Sequence, residues 1–325
     1  MSTIAVDAMG GDSAPEEVVK GAILAKKEGV DVILSGDENL IKSYLGNEKI
    51  PVINYPQVIS MDDDPAKAIR SNKDSSIIGA LNLVKEKKAD AVFSAGSTGA
   101  TLIGAISVLG KIKGVTRPTI ASVLPGKEKE VILVDSGANL EVKPKVLYQF
   151  AIMGSKLSEL LFDIENPRIG LINNGEESSK GRELEKATFK LLKSSQLNFI
   201  GNVEGKDFAN SKVDVFVTDG FTGNVVLKTL QGVAKLQQDL ISKSLKENLF
   251  KPLLVPVKNA ISPVKNMLNP NSTNGSYLLG VNGLVIIGHG SSNSEAIKNA
   301  LLFTSRAVEK RFINKFTEVS SELWM

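Results

Sequence analysis

Val213-Asp-Val-Phe-Val-Thr-Asp-Gly-Phe-Thr-Gly-Asn224 decides how this chain is read. Its first five residues are mostly β-branched and apolar between polar neighbours, the pattern of a short strand buried in a parallel sheet. Leu227, Leu230, Ala234 and Ile241 then recur at helical spacing, so an amphipathic helix follows. Between strand and helix, Asp219-Gly-Phe-Thr-Gly-Asn224 puts unpaired backbone N–H groups at the positive end of a helix dipole, a place suited to an anion. The same residues also read as an ordinary turn with Asp219 and Asn224 as caps.

Repetition favours the anion reading. Asp7-Ala-Met-Gly-Gly-Asp12, Ser94-Ala-Gly-Ser-Thr-Gly-Ala100, Asp135-Ser-Gly-Ala-Asn139, Asn173-Asn-Gly-Glu-Glu-Ser-Ser-Lys-Gly181 and Gly288-His-Gly-Ser-Ser292 each follow a short apolar run. In an open parallel sheet such loops gather on one edge, at the carboxyl ends of the strands, where ligands bind. Gly, Ser, Thr and Asn collected there predict a site for a phosphate-bearing ligand. Its candidate contacts are Asp7, Gly10, Gly11, Gly96, Ser97, Thr98, Gly99, Asn139, Asn173, Gly175, Asp219, Gly220, Thr222 and Gly223.

Composition narrows the classes. The 325 residues allow a large core, and 42% hydrophobic with 23% charged residues is the balance of a globular protein. A net charge of +3 makes no case for nucleic acid. The absence of Cys excludes disulfides and thiolate nucleophiles, and a single His, His289, excludes a multi-histidine metal site. With no basic-then-apolar leader and no apolar run of membrane-spanning length, the chain reads as cytoplasmic.

Along the chain, Ser13 and Glu16 make a capping box around Pro15. Asp62-Asp-Asp-Pro65 opens another helix; three adjacent carboxylates suit its N-terminus or, alternatively, a hard cation. Arg70 and Lys73 can hold a phosphate or remain solvated. Residues 101–109 are almost uniformly apolar, which predicts a helix buried on most sides, and 127–130 read as a hairpin tip. Ser292 and Glu295 form a second capping box before the last helix. With no linker or repeat, the expectation is one continuous α/β unit over 1–325: an open, mostly parallel sheet with helices on both faces. Residues 245–268 break the pattern. Lys246, Lys251, Lys258 and Lys265 alternate with apolar residues, and Pro252, Pro256 and Pro263 forbid one straight helix. A basic amphipathic helical excursion of this kind fits a membrane surface or a dimer contact.

Chemistry is narrowed by what is missing. No Gly-x-Gly-x-x-Gly, Walker A or Gly-x-Ser-x-Gly motif occurs, and a serine triad has only His289 to draw on. A chain without an evident nucleophile points to a substrate that attacks for itself. Inorganic phosphate does so once positioned and partly neutralised. Lys180 can hold that phosphate or sit solvated in its loop. Asn224 can donate to a developing oxyanion or cap a helix. His289 can protonate a leaving thiolate or serve as a structural hydrogen-bonding residue.

Taken in order, these motifs resemble the bacterial phosphate acyltransferases of phospholipid synthesis, the PlsX family. The likeness is carried by Ile4-Ala-Val-Asp-Ala-Met-Gly-Gly-Asp12, the 94–100 loop, Arg117-Pro118, Asp135-Ser-Gly-Ala-Asn139 and Gly170-Leu-Ile-Asn-Asn-Gly175 with Lys180-Gly181. Gly201-Asn-Val-Glu204, the 217–225 stretch with Leu227-Lys-Thr229, and His289-Gly-Ser-Ser292 extend it over nearly the whole chain. Ser97 stands where the family usually has Asn, and Ser136 where Val is common. The resemblance implies transfer of a fatty acyl group from acyl-carrier protein to orthophosphate, without metal or nucleotide cofactor. It further implies a homodimer, peripheral membrane association through the excursion, and an active-site pair at Lys180 and Asn224. The implied fold is similar to the isocitrate and isopropylmalate dehydrogenases and phosphotransacetylases. Two other functions remain open on the residues alone: a decarboxylating dehydrogenase of similar fold, and a non-catalytic membrane-surface adaptor for carrier protein.

Overall fold

The computed structural model describes residues 2–248, 275–310 and 312–318. The expected excursion at 245–268 lies outside them from residue 249 onward. Eleven strands form one sheet: β1 (Thr3–Asp7), β2 (Asp31–Gly36), β3 (Val52–Asn54), β4 (Ala91–Ser94), β5 (Thr119–Leu124), β6 (Val131–Val134), β7 (Ile169–Ile172), β8 (Phe199–Val203), β9 (Val215–Val217), β10 (Ser276–Leu279) and β11 (Leu284–Ile287). The helices are α1 (Glu16–Lys27), α2 (Glu38–Leu45), α3 (Pro65–Ser71), α4 (Ser76–Lys85), α5 (Thr98–Leu109), α6 (Pro144–Phe162), α7 (Glu183–Lys193), α8 (Gly220–Asn248), α9 (Ser294–Glu309) and α10 (Phe312–Glu318).

The strand order is β3-β2-β1-β4-β11-β10-β5-β6-β9-β7-β8. β3, β2, β1, β4 and β11 run parallel to one another, and so do β6, β9, β7 and β8. Three antiparallel pairings in a row separate the groups: β11 with β10, β10 with β5, and β5 with β6. An odd number of reversals leaves the two groups running in opposite directions. The six glycine-containing loops therefore do not share one edge, as a uniformly parallel sheet requires. β10, which the apolar pattern does not disclose as a strand, supplies the extra reversal.

Register brings the loops together all the same. Ser276 pairs with Ile287 on one side and Ser122 on the other, and Ser122 pairs with Leu133. The carboxyl ends of β11 and β6 thus lie nearly level, and the two groups meet head-on along a seam at β10 and β5.

Side chains alternate across the sheet, and the two faces are filled differently. One face carries a continuous core from Ile4, Val6 and Phe93 through Ile286, Ala121 and Val134 to Val215 and Val217, covered by α1, α2, α6, α7, α9 and α10. The other face carries two separate cores. α3, α4 and α5 cover the first, around Ala5, Val92 and Val285, while α8 leans on the second, around Leu124, Leu133 and Phe216. A gap is left over the seam.

Several local expectations shift. Ser13 and Glu16 form no capping box: α1 starts without a side-chain cap, Glu16 pairs with Lys20, and Glu17 accepts the Ser294 N–H at 2.6 Å, pinning α1 to α9. α9 is capped by Asn293 rather than Ser292, through the Ala296 N–H at 2.9 Å. Asp64 caps α3 by accepting from the Lys67 N–H at 2.9 Å, and Asp63 accepts from the Ser60 N–H. α5 buries Ala100, Thr101, Gly104 and Ala105 but leaves Leu102, Ile103 and Ile106 half-buried, so it is covered on one side rather than most.

Candidate active site at the seam

On the β6–β9 bank, the Asp135 carboxylate gathers the loop around itself. Its Oδ1 accepts the N–H groups of Gly137 at 3.0 Å and Ala138 at 2.9 Å; its Oδ2 accepts Asn139 N and Nδ2, both at 2.8 Å. Burial pushes this carboxyl up, while the four donors work to keep it charged. Asn139 Nδ2 also donates to the Pro118 carbonyl at 2.9 Å, and the Asn139 carbonyl accepts the Gly220 N–H at 2.8 Å. Asn139 is thus spent on joining two loops.

Asp219 accepts the Thr222 N–H at 2.7 Å, so α8 begins at Gly220 and Asp219 is its cap. Asn224, read from the sequence as a turn residue or cap, stands in the helix's opening turns, exposed and without a hydrogen-bond partner among the described residues. Gly220 is forced, because a Cβ there would lie 2.7 Å from the Asn139 backbone. Gly223 is forced more strongly: a Cβ would lie 1.8 Å from the Asp135 carbonyl oxygen. That contact sets α8 hard against the β6 loop and brings Asn224 opposite Gly137, whose φ is 144°.

Lys180 stands exposed on the neighbouring loop after β7, its stem beside Gly175 and its carbonyl accepting from Asn173 Nδ2 at 3.2 Å. Two residues on, the Arg182 guanidinium binds both Glu185 and Asp219. Those carboxylates raise the Arg182 pKa further, Glu185 contributing first. The sequence reading missed Arg182, which ties the Lys180 loop to the α8 cap. An Arg two residues after Lys180, with Glu185 at helical spacing, was the available signal.

On the opposite bank, Ser94 Oγ donates to Asp7 Oδ2 at 2.6 Å. Asp7 is buried, its Oδ1 finds no partner among the described residues, and burial pushes its pKa up. A Cβ at Gly10 would lie 2.6 Å from Asp7 Oδ2 and 2.7 Å from Gly96 N, so the β1 and β4 loops touch through glycines. Asp12 N donates to the Gly290 carbonyl at 2.8 Å, which brings in the β11 loop, and Gly11 takes a φ of 124°. Ser97 caps α5, Thr98 follows it, and Gly99 lies against Pro65. Arg70 and Lys73 are exposed; Lys73 Nζ, just past the end of α3, reaches back to that helix at the Ile69 carbonyl, 3.4 Å away. His289 Nδ1 lies 2.8 Å from Ser291 Oγ. Partial burial, reinforced by the Lys228 charge, lowers its pKa against the pull of Asp12, so the imidazole is neutral at pH 7.

The banks enclose a cavity of about 600 Å³ in the gap over the seam. Thr98, Gly288, His289 and Ser292 reach it from one side, Ser136, Gly137 and Asn224 from the other. Its floor is Ile120, Ser122 and Leu124, with Ser122 Oγ hydrogen-bonded to Ser136 and Ser276, each at 2.8 Å. Leu227, Leu230 and Ala234 of α8 form the roof, and Phe208 a wall. Lys180, Arg70, Lys73 and Asn173 do not line it. Asp7, Gly10 and Ser97 border a separate void of about 10 Å³. Among the described residues no cluster of three or more His, Asp or Glu side chains is arranged for a metal ion. The cavity thus joins a polar end, with helix-terminal amides and an unpaired amide side chain, to an apolar body.

Solved structures share the fold at low identity: the EutD phosphotransacetylase from Staphylococcus aureus at a TM-score of 0.61 and 18% identity, covering 94% of this chain and 93% of that one. The 4-hydroxythreonine-4-phosphate dehydrogenase from Klebsiella pneumoniae matches at 0.54 and 13%, covering 94% and 98%. The phosphate acyltransferase of Pelotomaculum thermopropionicum is 45% identical over 95% of this chain and 92% of its own length. That of Halothermothrix orenii is 43% identical over 95% and 96%. The family model described as fatty acid synthesis protein matches residues 2–315. With both likenesses running almost end to end, this chain belongs to that family, the phosphate acyltransferases.

Proposed function

We propose that the chain transfers a fatty acyl group from acyl-acyl-carrier protein to inorganic phosphate, giving an acyl phosphate for phosphatidic acid and phospholipid synthesis. The observation that carries this reading is Asn224, unpaired among the described residues, in the opening turns of α8 at the lip of an apolar cavity. Hydrogen phosphate approaches beside the α8 N-terminus and Lys180, whose charge offsets its own. One phosphate oxygen attacks the thioester carbonyl carbon. The carbonyl oxygen becomes the oxyanion, held by Asn224 Nδ2 and loop N–H groups. When the oxyanion collapses, the carbon–sulfur bond breaks and the thiolate leaves. The proton of the hydrogen phosphate ends on sulfur, with neutral His289 placed to pass it on, so charge and atoms balance without metal or nucleotide.

The donor's acidic carrier domain and the lipid product suggest a protein at work on the cytoplasmic face of the membrane, as a homodimer docked through 245–268. No helix among the described residues is long and apolar enough to cross a membrane. The dehydrogenase alternative rests on a shared fold alone.

Purified protein with acyl-carrier protein thioester should release thiol only when phosphate is present; equal release without phosphate ends the proposal. Asn224→Ala should lower kcat by about 100-fold with an unchanged melting temperature, since the side chain bonds nothing in the resting protein. Lys180→Ala with unaltered kinetics would remove Lys180 from the mechanism.

A further inference from the structure

The cavity over the seam is far too large for a packing defect, because protein interiors hold few voids larger than a water molecule. At about 600 Å³ it has the size of a ligand site. Polar groups mark its two ends: Asn224, Gly137 and His289 at one, Gln237 and Lys127 at the other. Between them Ile120, Leu124, Leu227, Leu230, Val233 and Ala234 make most of the lining, with the hydroxyls of Ser122 and Ser276 tied to each other in the floor and Lys228 and Gln231 at the margin of α8.

Two walls measure the distance from one place to the other. Along α8 the lining runs from Asn224 to Gln237, about 20 Å at about 1.5 Å per residue. Along the floor it runs from Ile120, whose carbonyl accepts the Ser136 N–H, up β5 to Lys127 at the hairpin tip, about 23 Å if extended at about 3.3 Å per residue. An extended hydrocarbon advances about 1.3 Å per carbon, from ordinary C–C bond geometry, so the lining matches a chain of about fifteen carbons.

We propose that this gap holds the acyl chain, laid along α8 from a carbonyl at Asn224, and that Ala234 on the roof sets the longest chain accepted. The assignment rests on the acyl-transfer reading for which end of the chain lies at Asn224. Ala234 is the smallest side chain on the helix's inward face, about 15 Å along it from Asn224, where a chain passes its eleventh or twelfth carbon. Leu227 and Leu230 before it narrow the roof; Ala234 leaves the passage open.

Binding tests this without turnover. Saturated fatty acids of eight to eighteen carbons displace a fluorescent fatty acid from the full-length protein, and affinity is read for each. In the unaltered protein affinity should climb by about fourfold per methylene and level off near sixteen carbons. Ala234→Phe should move the plateau to about ten carbons, weakening palmitate by about 100-fold or more while octanoate changes less than about twofold. Leu236→Phe, on the exposed face of the same helix, should leave the series unaltered. An unaltered protein with no length dependence, or one still climbing at eighteen carbons, overturns the assignment even if Ala234→Phe does not fold. So does a folded Ala234→Phe with the original plateau. Thiol release from octanoyl and palmitoyl thioesters is scored separately: absence of phosphate-dependent release with either one defeats the acyl-transfer reading, whereas the displacement series judges the chain site.

Discussion

The two banks of the seam handle buried charge in opposite ways. On the β6–β9 bank every buried carboxylate is answered: Asp135 by loop N–H groups, Asp219 by the Arg182 guanidinium and the Thr222 N–H. On the β1–β4 bank Asp7 has one well-formed hydrogen bond, from the Ser94 hydroxyl, with the Ser76 hydroxyl and the Met9 and Gly10 N–H groups near enough to favour its charge but not enough to offset burial. A fully bonded loop is stiff, and a stiff loop can present Asn224 without reorganising during the reaction. The difference separates a bank built for geometry from one whose buried acid is held by fewer bonds.

The largest way to break that contrast is Gly223→Ala. A methyl 1.8 Å from the Asp135 carbonyl must push α8 off the β6 loop, so turnover should fall by at least about 100-fold and the melting temperature by several degrees. An active, fully stable Gly223→Ala protein would show that the contact is not what sets Asn224. Next comes Arg182→Ala, which leaves Glu185 and Asp219 buried without their cation, each keeping one backbone N–H. Denaturant titration should show a loss of about 2–3 kcal/mol, and kcat should fall more than KM rises. A loss confined to stability would make Arg182 a brace with no part in positioning.

The smallest effect is Asp7→Asn, and its sign is set by burial. A carboxyl whose folded pKa is raised favours the folded state most below its unfolded value of about 3.8, and that advantage is lost as pH rises through the folded value. Removing the titration should therefore make the variant relatively more stable from mildly acid to neutral pH. Melting curves across that range should separate from the parent's as pH rises; curves that stay parallel would mean Asp7 ionises without penalty.

Much of the fold is legible in short apolar runs, each followed by glycine, because a strand buried on both faces has no polar alternation to obscure it. The opposed directions of the two groups are not. They depend on β10, four residues long, and on its pairing with β5, where Ser276 meets Ser122 from far along the sequence. Glycines at close contacts, Gly10 and Gly223 above all, are legible as special without showing which neighbour forbids a side chain. Arg182 escaped notice because an arginine in a charged segment looks solvated until both of its carboxylates are seen to be buried. Ser292 was misplaced as a cap by one residue, since Asn293 offers the same chemistry one step later.

The route of the chain through the sheet also bears on how the protein is made. β1, β2 and β4 are synthesised early, but β4's open flank is covered only by β11, and β5's by β10, both from the last fifth of the chain. A ribosome-bound chain therefore carries two bare strand edges for most of its synthesis, and such edges invite pairing with other molecules. Folding has to wait for the carboxyl-terminal hairpin to arrive and close the gap.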